Sequence, residues 1–388
     1  MVVMPKQNVP ALRLEGFSGE WGTTIVSAVA DVVGGGTPST SNPSLWDGDI
    51  DWYSPNEVGS DVVAKPSNRR ITVEGLRASS AQLLPAHRTI LYTSRASIGH
   101  TAILKHPATT NQGFQSLVLR DGMDTYFMYS LTPLITRKAL KISSGSTFLE
   151  ISAKALGTIE IPVPSTLEEQ QAIGAIFTNL DAAINQHTLK HKALQQAKTA
   201  LMQRMFPQEG QTVPELRLEG FSGEWKTASI GAVSALHNGR DYKHLGEGCI
   251  PVYGTGGYMA AVDQALSHDK DAVGIGRKGT INKPYILKAP FWTVDTLFYV
   301  VPNQDTDLAF FYASVLRVDW MAKNTATGLP SLTSQAINSA DISVPPTLEE
   351  QQAIGAIFTN LDQLIAAEAQ YIASLKQAKT ALLQRMFI

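Results

Sequence analysis

The chain of 388 residues holds one cysteine, Cys249, which excludes an intramolecular disulfide and any cysteine-based metal cage. No apolar run reaches membrane length and no signal-peptide pattern stands at Met1, so a soluble, cytoplasmic protein with no membrane partner is expected. Charge is scarce too: 17% of residues, with a net charge of −2. Residues 22–163 carry 12 basic against 11 acidic side chains and residues 226–345 carry 10 against 10, so both ranges are close to neutral and the acidic excess lies outside them. A nucleic-acid binder of this composition needs its positive charge clustered on one face. Residues 274–280 do not spell the glycine-rich loop that cradles nucleotide phosphates. Asn42-Pro43-Ser44-Leu45 lacks the second proline and the aromatic by which adenine methyltransferases hold their target amine. With no convincing nucleophile, metal set or cofactor loop, no catalytic residue and no cofactor are expected.

Proline is also missing from two long stretches, and these organise the chain. Residues 166–181 and 347–362 are identical, displaced by 181 positions, and the copy resumes at 196–201 and 377–382. Thr166 with Glu169, and Thr347 with Glu350, read as capping boxes in which the carboxylate returns to the cap amide. Each stretch then predicts a helix of forty residues, roughly 60 Å long at 1.5 Å per residue. Ile173, Phe177, Leu180, Ile184, His187, His191, Leu194, Lys198, Leu201 and Met205 step by 4 and 3, as do their counterparts from Ile354 to Met386. That spacing is a coiled-coil seam, and the two rods most simply pack on each other. His187 and His191 have metal-ligand spacing, but no acid completes a set; a polar seam position that fixes register is the preferred reading. Lys198 and Lys379 read the same way.

A second repeat opens each half: residues 10–21 return at 214–225, displaced by 204. The chain is a tandem duplication of leader, variable domain and rod, partitioned here as 1–163, 164–206, 207–345 and 346–388. The shorter displacement of the rods makes the first variable domain longer, nearly all of it between Gly36 and Arg95. Strands are predicted from Thr89 and Ala272 and again around residues 116–119 and 297–301. Helices are predicted from Asp124 to Leu140, kinked or split at Pro133, and from Asp307 to Lys323. Each variable domain is read as α+β. Two unlike domains on identical rods fit a ligand with two unlike half-sites at a fixed spacing, of which duplex DNA is the obvious one.

These residues closely resemble the specificity (S) subunits of type I restriction–modification systems. The resemblance is carried by residues 14–21, Gly35-Gly36-Thr37-Pro38-Ser39, Trp46-Asp47-Gly48-Asp49-Ile50, residues 93–99, and Ile161-Pro162-Val163-Pro164 running into residues 167–170, with the pattern repeated in the second half. It implies two globular target-recognition domains separated by two long helices that pack as an antiparallel coiled coil and act as a ruler. It implies double-stranded DNA and two methyltransferase (M) subunits as partners, restriction (R) subunits in the full complex, and no catalytic centre in this chain. The competing reading is a DNA-independent coiled-coil scaffold displaying two protein-binding domains, favoured by the neutral charge.

Arg95 and Arg277 are taken as equivalent at a displacement of 182, each following a strand beside small residues such as Ser94 and Gly276. Arginine grips phosphate or forks onto guanine, and small neighbours let a backbone approach; an exposed loop arginine or a structural ion pair is the alternative. Thr37, Ser39 and Thr40 are candidate donors to DNA, or a turn that satisfies itself. Gln112 and Gln115 flank Phe114 and either read adenine edges or belong to a loop around a buried ring. In the second domain Arg240, Tyr242 and Lys243 match residues 37–39 in position, Tyr253 and Tyr258 flank a glycine turn, and Lys278 and Asn282 extend the Arg277 loop.

Overall fold

The structure is a computed structural model describing residues 8–144 and 149–387; Met1, where the signal-peptide pattern is missing, lies outside them. The chain forms two compact units, one comprising residues up to His187 plus those from Tyr371 onward, the other Thr188–Gln370. Each α+β unit contains the start of one long helix and the end of the other.

In the first unit an antiparallel sheet runs in the order Ala30–Gly34, Gln115–Leu119, Thr89–Tyr92, Thr101–Ile103. A second sheet places Trp46–Tyr53 between Arg69–Ile71, antiparallel, and Ala108–Thr110, parallel. A ribbon of Gly22–Ile25 against Glu160–Val163 closes the domain onto the helix that follows. The second unit repeats all three: Ser234–Asn238, Leu297–Pro302, Ala272–Gly276 and Tyr285–Leu287; then Gly257–Val262, Ile250–Gly254 and Trp292–Thr293; then Lys226–Ser229 with Asp341–Val344. The additional residues of the first unit build a 3-10 turn, Pro43–Leu45, a longer central strand and a short helix, Val73–Arg77.

Helix Thr125–Ile142 is neither split nor shortened by Pro133. Thr132 Oγ1 donates to the Tyr129 carbonyl at 2.7 Å, the acceptor that the missing N–H of Pro133 would have used. Its counterpart, Leu308–Leu316, is shorter than the sequence pattern predicts. The chain turns back there because Trp320, 2% exposed, donates its indole N–H to the Val315 carbonyl at 3.0 Å.

The long helices run Leu167–Arg204 and Leu348–Met386. The predicted seam residues of both are buried or half-buried at every step, while most of the residues between them are exposed. In the first unit Lys379 Nζ reaches both Asp181 oxygens at 2.6 and 2.8 Å; in the second, Lys198 meets Asp362 and Lys190 meets Glu368. Early residues of one helix thus meet late residues of the other, an antiparallel pairing within each unit. Lys198 and Lys379 are seam cations with carboxylate partners, and His187 packs edge-on to Tyr371 at 4.5 Å.

Each unit is tied at the helix ends by one aromatic cluster. Phe387 lies 5.7 Å from Phe127, 5.9 Å from Phe177 and 6.3 Å from Trp21. Phe206 repeats this with Phe310 at 5.7 Å, Phe358 at 5.9 Å and Trp225 at 5.8 Å. Full burial of such side chains stabilises each cluster by roughly 1.5–3 kcal/mol per residue. Among the described residues no helix is long and apolar enough to cross a membrane, and no cluster of metal-ligating side chains occurs.

Candidate nucleic-acid interface

In the first unit the loop after strand Ala30–Gly34 lies hard against the turn that starts at Thr110. Gly36 N–H donates to the Thr110 carbonyl at 2.8 Å. A Cβ on Gly35 would fall 2.0 Å from the Asn111 carbonyl oxygen, and one on Gly36 2.3 Å from the Ala81 nitrogen, so only glycine fits at either position. Thr37 Oγ1 donates to Gln112 Oε1 at 2.7 Å. Ser39 and Ser41 share a hydroxyl contact of 2.8 Å, and exposed Thr40 stands between them. Gln115 is half-buried opposite Gly34, with its Oε1 lacking a partner among the described residues.

The Arg95 loop joins the same turn. Ser94 N–H donates to the Gly113 carbonyl at 2.8 Å, and the Ser94 carbonyl accepts from Ile151 N–H at 3.0 Å. Ser94 is fully buried and its hydroxyl has no partner among the described residues; it seats the loop beneath exposed Arg95.

The second unit hangs its candidates from the turn Thr293–Thr296 in the same manner. Arg240 N–H donates to Thr293 O at 2.8 Å, Val294 N–H to Tyr253 O at 2.9 Å, and Arg277 N–H to Thr296 O at 2.8 Å. Arg240 and Lys243 are exposed, whereas Tyr242 is half-buried against the Val252 and Trp292 cluster. Tyr258 is 66% exposed, edge-on to Tyr253 at 6.4 Å. Tyr285 donates its hydroxyl to the Gly254 carbonyl at 2.5 Å, and burial, then the neighbouring Tyr253, holds its pKa above the usual phenol range. Arg277 stacks over Phe298 at 5.6 Å and donates to the Asp295 carbonyl at 3.4 Å. Lys278 and Asn282 are exposed beside it, and a Cβ on Gly279 would meet Thr255 Oγ1 at 3.8 Å, which puts this loop next to the glycine turn.

This backbone pattern corrects the pairing of Arg95 with Arg277. Ser94, not Arg95, donates to the turn as Arg277 does, and the Ser94 carbonyl accepts from Ile151 as the Arg277 carbonyl accepts from Leu332. Arg95 bridges Glu150 as Lys278 bridges Ser331. Arg95 therefore corresponds to Lys278, and Arg277 is an added cation where the first unit has a buried serine. The arginine identities align at 182, whereas the strands and their hydrogen bonds align one residue further on.

Sequence reasoning missed the tryptophans that clamp these loops. Trp52 Nε1 donates to Gly36 O at 2.8 Å and Trp46 Nε1 to Ser39 O at 3.1 Å; in the second unit Trp292 Nε1 donates to Arg240 O at 2.9 Å. It also missed Arg69, whose guanidinium lies 3.6 Å over the Trp46 ring and 5.5 Å from that of Trp52. Strand alternation does not show this arrangement: both Trp46 and Ile50 pair with Ile71, and this register shift brings the two indoles to 5.1 Å. Arg69, Arg95, Arg240, Lys243, Arg277 and Lys278 form no ion pair with a described residue, whereas Arg70, Arg88 and Arg120 meet Asp51, Asp121 and Asp31. Uncompensated cations and hydroxyls at the rims of two glycine-lined turns can grip phosphates and reach base edges.

Comparison with known proteins points the same way. The family described as "Type I restriction modification DNA specificity domain" matches residues 19–195 and 222–377. The type I restriction enzyme MjaIX specificity subunit of Methanocaldococcus jannaschii is 35% identical over 191 residues, 48% of this chain and 44% of its own length. The EcoR124I/EcoR124II specificity subunit of Escherichia coli is 33% identical over 178 residues, 44% of this chain and 42% of its own. The chain thus aligns with less than half the length of these two relatives. The Escherichia coli EcoprrI specificity subunit is 23% identical over 368 residues, 90% of this chain and 89% of its own length. The crystal structure of a type I restriction–modification S subunit from M. genitalium shares the fold, with a TM-score of 0.71 at 17% identity, covering 98% of this chain and 99% of that one.

Proposed function

We propose, from the premise that this chain belongs to the type I restriction–modification DNA specificity family, that it is the DNA-sequence-recognition subunit of a type I restriction–modification enzyme. Residues 1–163 and 207–345 are the two target-recognition domains, each reading one half of a bipartite duplex site. The long helices, 164–206 and 346–388, set the spacer and dock two methyltransferase subunits, with restriction subunits joining the full complex. The chain itself is a non-catalytic adaptor and works in the cytoplasm.

One observation carries this reading: the same backbone hydrogen bonds in both units display unlike side chains. The turns at Thr110 and Thr293 hold their loops through matching bonds, yet present Thr37, Gln112 and Arg95 in one and Arg240, Tyr258, Arg277 and Lys278 in the other. A shared frame with divergent rims is what a two-part sequence reader requires, with phosphate contacts setting register and base contacts specifying. The scaffold alternative is not favoured, because both halves match a DNA specificity domain.

Binding of the chain with its methyltransferase subunits to duplex DNA tests the reading. Affinity should fall linearly with salt on logarithmic axes as counterions are released; salt-independent or absent binding would refute it. Lengthening both helices by the same whole number of turns should widen the permitted spacer and leave the half-sites unchanged.

A further inference from the structure

Strand Arg69–Ile71 forms one edge of the first unit's three-stranded sheet. Its two arginines have opposite fates. Arg70 lies opposite Asp51 and pairs with it at 3.2 Å, so its charge is neutralised. Arg69 lies opposite Trp52 and spreads its guanidinium on the Trp46 ring at 3.6 Å, exposed and without an ion pair or side-chain hydrogen bond among the described residues.

Stacking fixes the plane of a guanidinium and leaves its edge donors open. The indole beneath it is not an idle platform: Trp46 donates to the Ser39 carbonyl, and Trp52, edge-on to Trp46 at 5.1 Å, donates to that of Gly36. Both rings therefore clamp the loop that presents the hydroxyls of Thr37, Ser39, Thr40 and Ser41. A cation pre-oriented beside a row of hydroxyls suits a tetrahedral anion carried on a repeating backbone.

We propose that Arg69 grips a DNA backbone phosphate at the half-site read by the first unit, with Trp46 as its support; this rests on the DNA-recognition reading above. In the second unit Trp292 donates to the corresponding loop, and among the described residues no guanidinium stacks on its ring, so this phosphate contact belongs to the first half-site.

The test uses the full chain assembled with its methyltransferase subunits, and two labelled duplexes: one carrying the bipartite motif found by methylation mapping, one with that motif shuffled. Arg69→Gln should weaken both duplexes alike and reduce the salt slope by about 0.9, the value of one phosphate contact, while Arg70→Gln leaves the slope unchanged. If Arg69→Gln fails to fold, Arg69→Lys replaces it, with the slope retained and affinity reduced through lost stacking. An unchanged slope for folded Arg69→Gln, or a loss confined to one base position of the motif, overturns the phosphate assignment. Wild type without salt-dependent binding would overturn the DNA reading itself, an outcome that needs no variant to see.

Discussion

Arg13 closes on Glu169 through two parallel N–H···O bonds, Nε to Oε1 and Nη2 to Oε2, each 2.8 Å long. The carboxylate is 2% exposed and also accepts from Trp21 Nε1 at 3.1 Å. Arg217 and Glu350 repeat the bidentate pair. The capping box read from Thr166 and Glu169 is therefore half right. The Thr166 hydroxyl accepts from the Glu169 amide at 3.3 Å, but the carboxylate serves the leader instead of the cap amide. The leader is docked on the first turn of the helix by a buried charge pair.

Removing one partner of such a pair strands the other in a dry site. Arg13→Ala is expected to destabilise the first unit by about 3–5 kcal/mol, and Arg217→Ala the second by a similar amount. Urea denaturation followed by tryptophan fluorescence measures this. A change below about 1 kcal/mol would place the pair among surface ion pairs.

Phe206 and Phe387 are chemically identical cluster centres drawn from the ends of different helices. Each truncation to alanine should cost about 3–5 kcal/mol, Phe387→Ala in the first unit and Phe206→Ala in the second. Hydrogen exchange resolved by peptide tests this, with loss of protection expected in the unit that contains the substituted ring. Equal loosening of both units by either substitution would contradict the assignment of each ring to one unit.

Alkali should unfold the first unit through its tyrosines. Burial, then the nearby charges of Asp51 and Glu57, pushes the Tyr53 phenol up to about 12. Burial, then the charge of Asp181, pushes Tyr129 up to about 12 as well. Both values exceed the unfolded value of 10.0, so their contribution is fully present below that value and is lost as pH rises through about 12. Denaturation midpoints should fall steadily across that window, with phenolate absorbance at these rings appearing alongside unfolding. Full tyrosine ionisation near pH 10 with the fold intact would contradict this.

Much of the frame was legible because periodicity encodes it. Every seam residue from Ile173 to Met205 was read from 3–4 spacing, and strands Thr89–Tyr92 and Ala272–Gly276 from β-rich runs between turns. What escaped depends on contacts far apart in sequence. Nothing local to Glu169 announces Arg13, 156 positions away. The Pro133 helix is the exception: Thr132, its neighbour, satisfies the Tyr129 carbonyl, a local contact that depends on the threonine's rotamer. Aligning Arg95 with Arg277 followed residue identity, whereas hydrogen-bond register places Arg95 with Lys278. The candidate site was legible as loops; the tryptophan clamps and Arg69 depend on which strand faces meet.

The central claim is that this chain selects a bipartite DNA target, and mapping DNA methylation across the genome tests it most directly. Cells expressing the chain with its methyltransferase are compared with cells lacking only the chain. The account predicts a split motif present only when the chain is present, with substitutions at Arg95 altering one half and substitutions at Arg277 the other. No new motif, with the same methyltransferase active beside another specificity subunit, would contradict it.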